Sequence, residues 1–141
     1  MRKFIFFSVG IFILMLLIQV DALACKCKID PDQILEQKIN ANLKTAKAVF
    51  SGKVIEISDS ADKQYVLVKI KVEESWKDML PEEIYITTNT TSCGYRFKVG
   101  KYYLIFAQSS EKYELTTASC LGNKELANAA EELKILGASK N

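Results

Sequence analysis

The sequence predicts a mainly β domain with a helix at each end. Three observations carry that reading. An alternating apolar run occupies the middle of the chain, and shorter β-rich segments spaced by turn residues lie around it. Helix-type patterns occur only before the first of these segments and after the last. Asp30-Pro31-Asp32-Gln33 reads as a helix start, with Asp30 as N-cap, Pro31 in the first turn and Gln33 reaching back. Ile34, Leu35, Ile39 and Leu43 follow at near-helical spacing, which predicts a helix over about residues 31–45. Ala48 to Ile57 reads as the first strand, and the polar Ser58 to Lys63 segment as a turn. From Tyr65 to Val72 the chain alternates, with Val66, Val68, Ile70 and Val72 on one face and Lys69 and Lys71 on the other. Glu83–Thr88, Tyr102–Gln108 and Tyr113–Thr117 supply three more strands, with turns at Gly100-Lys101 and Ser109-Ser110-Glu111. Asn123-Lys124-Glu125-Leu126 then opens an amphipathic helix that runs through Ala130 and Leu133 to Leu136 and stops at Gly137. Five strands between two helices suit a small five-stranded barrel of the OB type, an architecture that hosts many unrelated functions. Trp76 reads as a core residue at a strand end, and Tyr95, Phe97, Tyr102 and Tyr103 as barrel packing.

The first 24 residues read as a secretory signal. Arg2 and Lys3 form a basic start, and Phe4 to Val20 is apolar except for Ser8, Gly10 and Gln19. Ala22 and Ala24 are the small residues that a signal peptidase accepts. The expected organisation is therefore a signal peptide over 1–24 and a single domain over 25–141, secreted and monomeric. Leu23-Ala24-Cys25 also approximates a lipobox, so a surface lipoprotein anchored through Cys25 stands as the alternative. A lipidated Cys25 neither chelates a metal nor forms a disulfide.

All four cysteines, Cys25, Cys27, Cys93 and Cys120, fall after the cleavage site. An even count in an exported chain favours two disulfides. A Cys25–Cys27 bond would close a very small ring, against the usual Cα separation of about 4.4–6.8 Å in a relaxed bridge. Two long-range pairings remain open, and both tie the amino terminus to the far half of the domain. Cleavage after Ala24 leaves Cys25 with a free α-amine beside its own carbonyl, a pair able to bind a metal ion as a five-membered chelate.

Other chemistry is sparse. The chain has no histidine, so the usual general base and the commonest zinc ligand are missing. No serine sits in a recognisable nucleophile turn and no glycine-rich phosphate loop occurs; no enzyme activity and no cofactor are expected. The net charge of +2 gives no reason to expect nucleic acid, or a membrane unless Cys25 is lipidated.

The Cys25-Lys26-Cys27 terminus, the helix after it and Ala48-Val49-Phe50-Ser51-Gly52-Lys53-Val54 resemble the inhibitory domain of the tissue inhibitors of metalloproteinases. Ser92-Cys93-Gly94-Tyr95, Tyr103-Leu104-Ile105-Phe106-Ala107 and Leu115-Thr116-Thr117-Ala118-Ser119-Cys120 extend the likeness, in order, over essentially the whole chain after the signal. The resemblance implies a netrin-like barrel of the OB type with Cys25 joined to Cys93 and Cys27 to Cys120. It implies that the partner is a zinc metalloprotease whose catalytic zinc is chelated by the amine and carbonyl of Cys25. Lys26 would enter the specificity pocket just beyond the scissile position, and Cys27 and Lys28 would continue along the cleft. Thr91 and Ser92 would fill its other side. The animal inhibitors carry a small hydroxyl residue where this chain has Lys26. The third disulfide and the second domain of those proteins have no counterpart here. An exported OB-fold binding module without inhibitory activity is the competing expectation.

Overall fold

The structure, a computed structural model, describes residues 24–28 and 30–140. The expected signal segment lies outside the described residues up to residue 23. In chain order the elements are α1 (Leu35–Thr45), β1 (Ala48–Asp59), β2 (Tyr65–Lys77), β3 (Glu83–Asn89), β4 (Tyr102–Ala107), β5 (Thr116–Thr117), β6 (Lys124–Glu125) and α2 (Ala130–Leu136). Short 3-10 turns cover Ser119–Leu121 and Leu126–Asn128.

Six strands form one sheet in the order β5-β3-β2-β1-β4-β6. Every pairing is antiparallel except β3 with β5. The sheet curls into a half-barrel. Just beyond β4, Gln108 meets Thr116 through two backbone hydrogen bonds of 2.8 Å, so β5 touches both β3 and the chain leaving β4.

Burial follows from this curl. Ala48, Phe50, Val54, Val68, Ile70, Ile86, Tyr103 and Ile105 fill the inside. The neighbouring positions Val49, Leu104 and Phe106 point the other way, into a second core with Ile39, Trp76 and Ala129, where α1 and α2 pack. Successive residues Ala48 to Ser51 and Tyr103 to Ala107 are therefore all buried, because both faces of β1 and β4 are covered. Trp76 lies in the helix-side core and donates its indole N–H to Gly137 O at 2.9 Å. Tyr95, Phe97 and Tyr103 pack ring against ring at 4.8–5.9 Å. Tyr102 is instead 39% exposed on the outside.

Four expectations are corrected. The helix predicted from residue 31 begins at Leu35, because Asp30 caps a turn instead: its Oδ1 accepts Asp32 N–H at 3.1 Å, and Gln33 N–H bonds Asp30 O at 3.2 Å. The second strand runs on to Lys77, since two register shifts along β1, at Val49/Phe50 and Ser51/Gly52, keep Glu73 and Glu74 outside while turning Ser75 and Trp76 in. The strand expected over Tyr113–Thr117 shrinks to Thr116–Thr117, because Tyr113 is held in a tight turn by Ser110. The sheet also has six strands, not five, because Lys124-Glu125 pairs with Tyr103 and Leu104 where a first helical turn was expected. Asn123 dictates that outcome. Its Oδ1 accepts Phe106 N–H at 2.9 Å and its Nδ2 donates to Thr117 Oγ1 at 2.7 Å and Ala118 O at 2.9 Å, pinning the backbone against β4.

Glu132 of α2 is 4% exposed, with Lys124 Nζ 2.5 Å from its Oε1 and no partner for Oε2. Burial, the largest single influence, pushes this carboxyl up, but the Lys124 ammonium, the backbone N–H of Glu132 and the charge of Lys38 together hold it below its ordinary value near 4.5. A depressed carboxyl contributes stability above its unfolded pKa and loses that contribution as pH falls through the folded one. Lys124→Met should cost about 1–2 kcal/mol at pH 7, discounted from a fully buried pair because the lysine is half exposed. Urea denaturation should show that cost shrinking as pH falls through the ordinary carboxylate range, because without Lys124 burial lets Glu132 of the variant take up a proton sooner than in the native protein.

Candidate functional site

The site is assembled from three segments that come together at one end of the half-barrel. The first is the loop after β3. Asn89 Oδ1 accepts Thr91 N–H at 2.7 Å and so bends the chain directly at the strand end. Thr90 fastens the loop to the β1–β2 turn, through Gln64 O at 3.0 Å from its N–H and 3.1 Å from its Oγ1. Gly94 N–H returns to Thr91 O at 3.0 Å, and Tyr95 N–H is taken by Thr88 Oγ1 at 2.8 Å. Arg96 closes the turn from outside by donating to Thr90 O and Thr91 O at 3.0 and 3.3 Å. Thr91 and Ser92 are left exposed at the tip of a loop that is braced on all sides.

The second segment is the 3-10 turn that carries Cys120. Ser119 N–H donates to Cys93 O at 2.9 Å and Ser119 Oγ to Gly94 O at 3.0 Å, joining this turn to the first loop. Gly122 follows at φ 96°, a left-handed conformation that favours glycine. Asn42 of α1 donates to Leu121 O at 2.9 Å, so the helix also holds the turn.

The third segment is Ala24–Lys28. It has no regular structure and, among the described residues, none of its backbone groups has a backbone hydrogen bond. Two disulfides hold it instead. Cys25 is joined to Cys93 with Cα atoms 4.8 Å apart, and Cys27 to Cys120 at 5.3 Å. The Cys25 and Cys120 sulfurs lie 3.9 Å apart, so the two bridges pack against each other. Ala24, Lys26 and Lys28 are exposed, whereas Cys25 and Cys27 are half-buried. Behind Cys27 a cleft of about 420 Å³ opens between Lys28, Leu35, Lys38, Asn123, Lys124 and Glu132.

The structure thus brings Cys25, Lys26, Cys27, Lys28, Cys93 and Cys120 into one ridge, with Thr91 and Ser92 next to it in sequence from Cys93. Asn89, Gly94, Ser119 and Asn123 support this arrangement without having been singled out for it from the sequence. Asn89 at a strand end carries a readable turn signal, but the bonds of Ser119 and Asn123 link distant segments and have no local signature. Among the described residues no three histidine, cysteine or acidic side chains converge on a metal position. No helix among them is long and apolar enough to cross a membrane. No protein-family model and no curated protein matches the chain.

A Cβ on Gly94 would lie 1.6 Å from Asn89 O, inside a backbone that is hydrogen-bonded on both sides. Gly94→Ala should therefore destabilise by about 3 kcal/mol, read from urea denaturation, because the loop cannot open without losing the Thr91 and Ser119 bonds. An unchanged midpoint would mean that the loop is far softer than its bonding implies.

Proposed function

We propose that the protein is a secreted inhibitor of zinc metalloendopeptidases, of the tissue-inhibitor type, that acts through the amino terminus exposed by cleavage after Ala24. The observation that carries this reading is the state of Cys25. Its sulfur is bonded to Cys93, while its backbone nitrogen and carbonyl have no backbone hydrogen bond among the described residues. A chelating pair needs this combination: free donor atoms on an immobile residue. The strand order also supports an OB-type, netrin-like barrel. In that order β1 lies between β2 and β4, β3 runs parallel with β5, and the Gln108–Thr116 bridge leads from β4 back to β5.

In this mechanism the amine and carbonyl oxygen of Cys25 take the open coordination positions of the protease zinc and displace the water that the enzyme uses as nucleophile. Lys26 enters the pocket beyond the scissile position, and Cys27 and Lys28 follow the cleft. Their backbone groups, which have no backbone hydrogen bond among the described residues, can pair with an edge of the enzyme as an added strand does. Thr91 and Ser92 occupy the other side. Because both bridges order these segments beforehand, little conformational entropy is lost on docking. A lipidated Cys25 excludes this mechanism, and the intact mass of the exported protein separates the two cases.

The decisive experiment adds one alanine before Cys25. Inhibition should be abolished while the thermal unfolding midpoint stays unchanged; equal potency sinks the proposal. Chelation also requires an unprotonated amine, whose ordinary pKa is about 8. Below that pH the inhibition constant should rise, approaching about tenfold per unit, as protons compete with the zinc. A flat profile between pH 8 and pH 6 would point to binding without the amine.

A further inference from the structure

Resting on the inhibitor reading above, we propose that the target is a zinc endopeptidase with an acidic specificity pocket, one that cleaves before lysine or arginine. The argument starts from how Lys26 is held. Both of its neighbours are cross-linked, Cys25 to Cys93 and Cys27 to Cys120, so its backbone cannot swing aside and only the side chain is free. The side chain is exposed and forms no ion pair among the described residues. Once Cys25 sits on the zinc, this ammonium is carried into the first pocket of the cleft. Burying it unpaired in an apolar pocket costs far more than the methylenes recover. A carboxylate at the pocket floor converts that cost into a charge-assisted hydrogen bond.

The surroundings carry the same sign. Lys28, Lys38 and Arg96 flank the ridge and also lack ion pairs among the described residues, whereas Lys47, Lys69, Lys71, Lys101, Lys112 and Lys124 each have a carboxylate partner. Asp30, in the cleft beside Lys28, turns its Oδ1 to Asp32 N–H and forms no ion pair among the described residues. Lys26, Lys28, Lys38 and Arg96 thus stand together around the docking ridge without a carboxylate partner among the described residues, a condition that Lys44, Lys53, Lys63 and Lys134 share elsewhere on the surface. That distribution favours encounter with an acidic cleft rim.

The test uses the native protein, its Lys26→Leu variant and the form with one alanine added before Cys25. Each is assayed against two zinc endopeptidases, one cleaving peptides before lysine or arginine and one cleaving before leucine or phenylalanine. The native protein should inhibit the first at least roughly thirtyfold more tightly than the second, the ratio expected for a desolvated charge pair. Lys26→Leu should reverse that order without changing the unfolding midpoint, since the residue is exposed. Equal or tighter native inhibition of the second enzyme overturns the pocket assignment, while an inactive alanine-extended form would keep zinc chelation standing. Inhibition of neither enzyme, or undiminished inhibition by the extended form, overturns both.

Discussion

Two disulfides in contact are the constraint on which the candidate functional end of this molecule depends. Ala24–Lys28 has no backbone hydrogen bonds of its own among the described residues, so without Cys25–Cys93 and Cys27–Cys120 nothing would place it. Closing loops with sequence separations of 68 and 93 restricts the unfolded chain by roughly 4 kcal/mol each in the chain-entropy model. The bridges also form part of a ring. Cys93 leads by its carbonyl to Ser119, Ser119 is followed by Cys120, and Cys120 returns through Cys27 to Cys25. One hydrogen bond and otherwise covalent links close that ring, which holds a short irregular segment in place without a backbone ladder.

The half-barrel supplies the foundation. β1 and β4 are covered on both faces, by the inside of the curl and by the two helices, so they form the stiffest part of the sheet. α1 is fastened at its end by Lys77, whose ammonium donates to Leu43 O at 2.7 Å and Lys44 O at 3.0 Å. Through Asn42 the same helix steadies the 3-10 turn that carries Cys120. Rigidity in the core thus reaches the ridge through Asn42 of α1 and through the backbone bonds of the Cys93 and Cys120 segments, while Ala24–Lys28 follows through its disulfides.

How much of this was readable depended on whether the deciding contacts were local. β2 and β4 declared themselves because alternating Val66, Val68 and Ile70 and the apolar Tyr103–Phe106 run have one sensible burial each. That Cys25 and Cys27 would pair with the far half of the chain was readable from their spacing, which disfavours a bond between the two. Lys124-Glu125 misled because helix propensity is weak against Asn123, whose three hydrogen bonds reach β4, β5 and the residue after β5. The extension of β2 was hidden by Glu73-Glu74, which break the alternation only because β1 shifts register beside them. Within the site, the bracing of Thr91 by Asn89 was local in sequence, whereas the link from Ser119 to Cys93 joins residues far apart in the chain.

The wide spacing of the paired cysteines has a consequence for the order of events as the chain is made. Synthesis delivers Cys25 and Cys27 first, next to each other, while Cys93 and Cys120 arrive only after β3 and after β5. For most of that interval each early thiol has only the other within reach, across a single lysine. The strain of so small a ring keeps any such early bond reversible by thiol exchange. The correct partners come near only when the β1–β2–β3 meander has formed and the chain has passed beyond β5. The ridge therefore cannot take its shape before Cys93 and Cys120 have been made, which ties its completion to the last third of the chain.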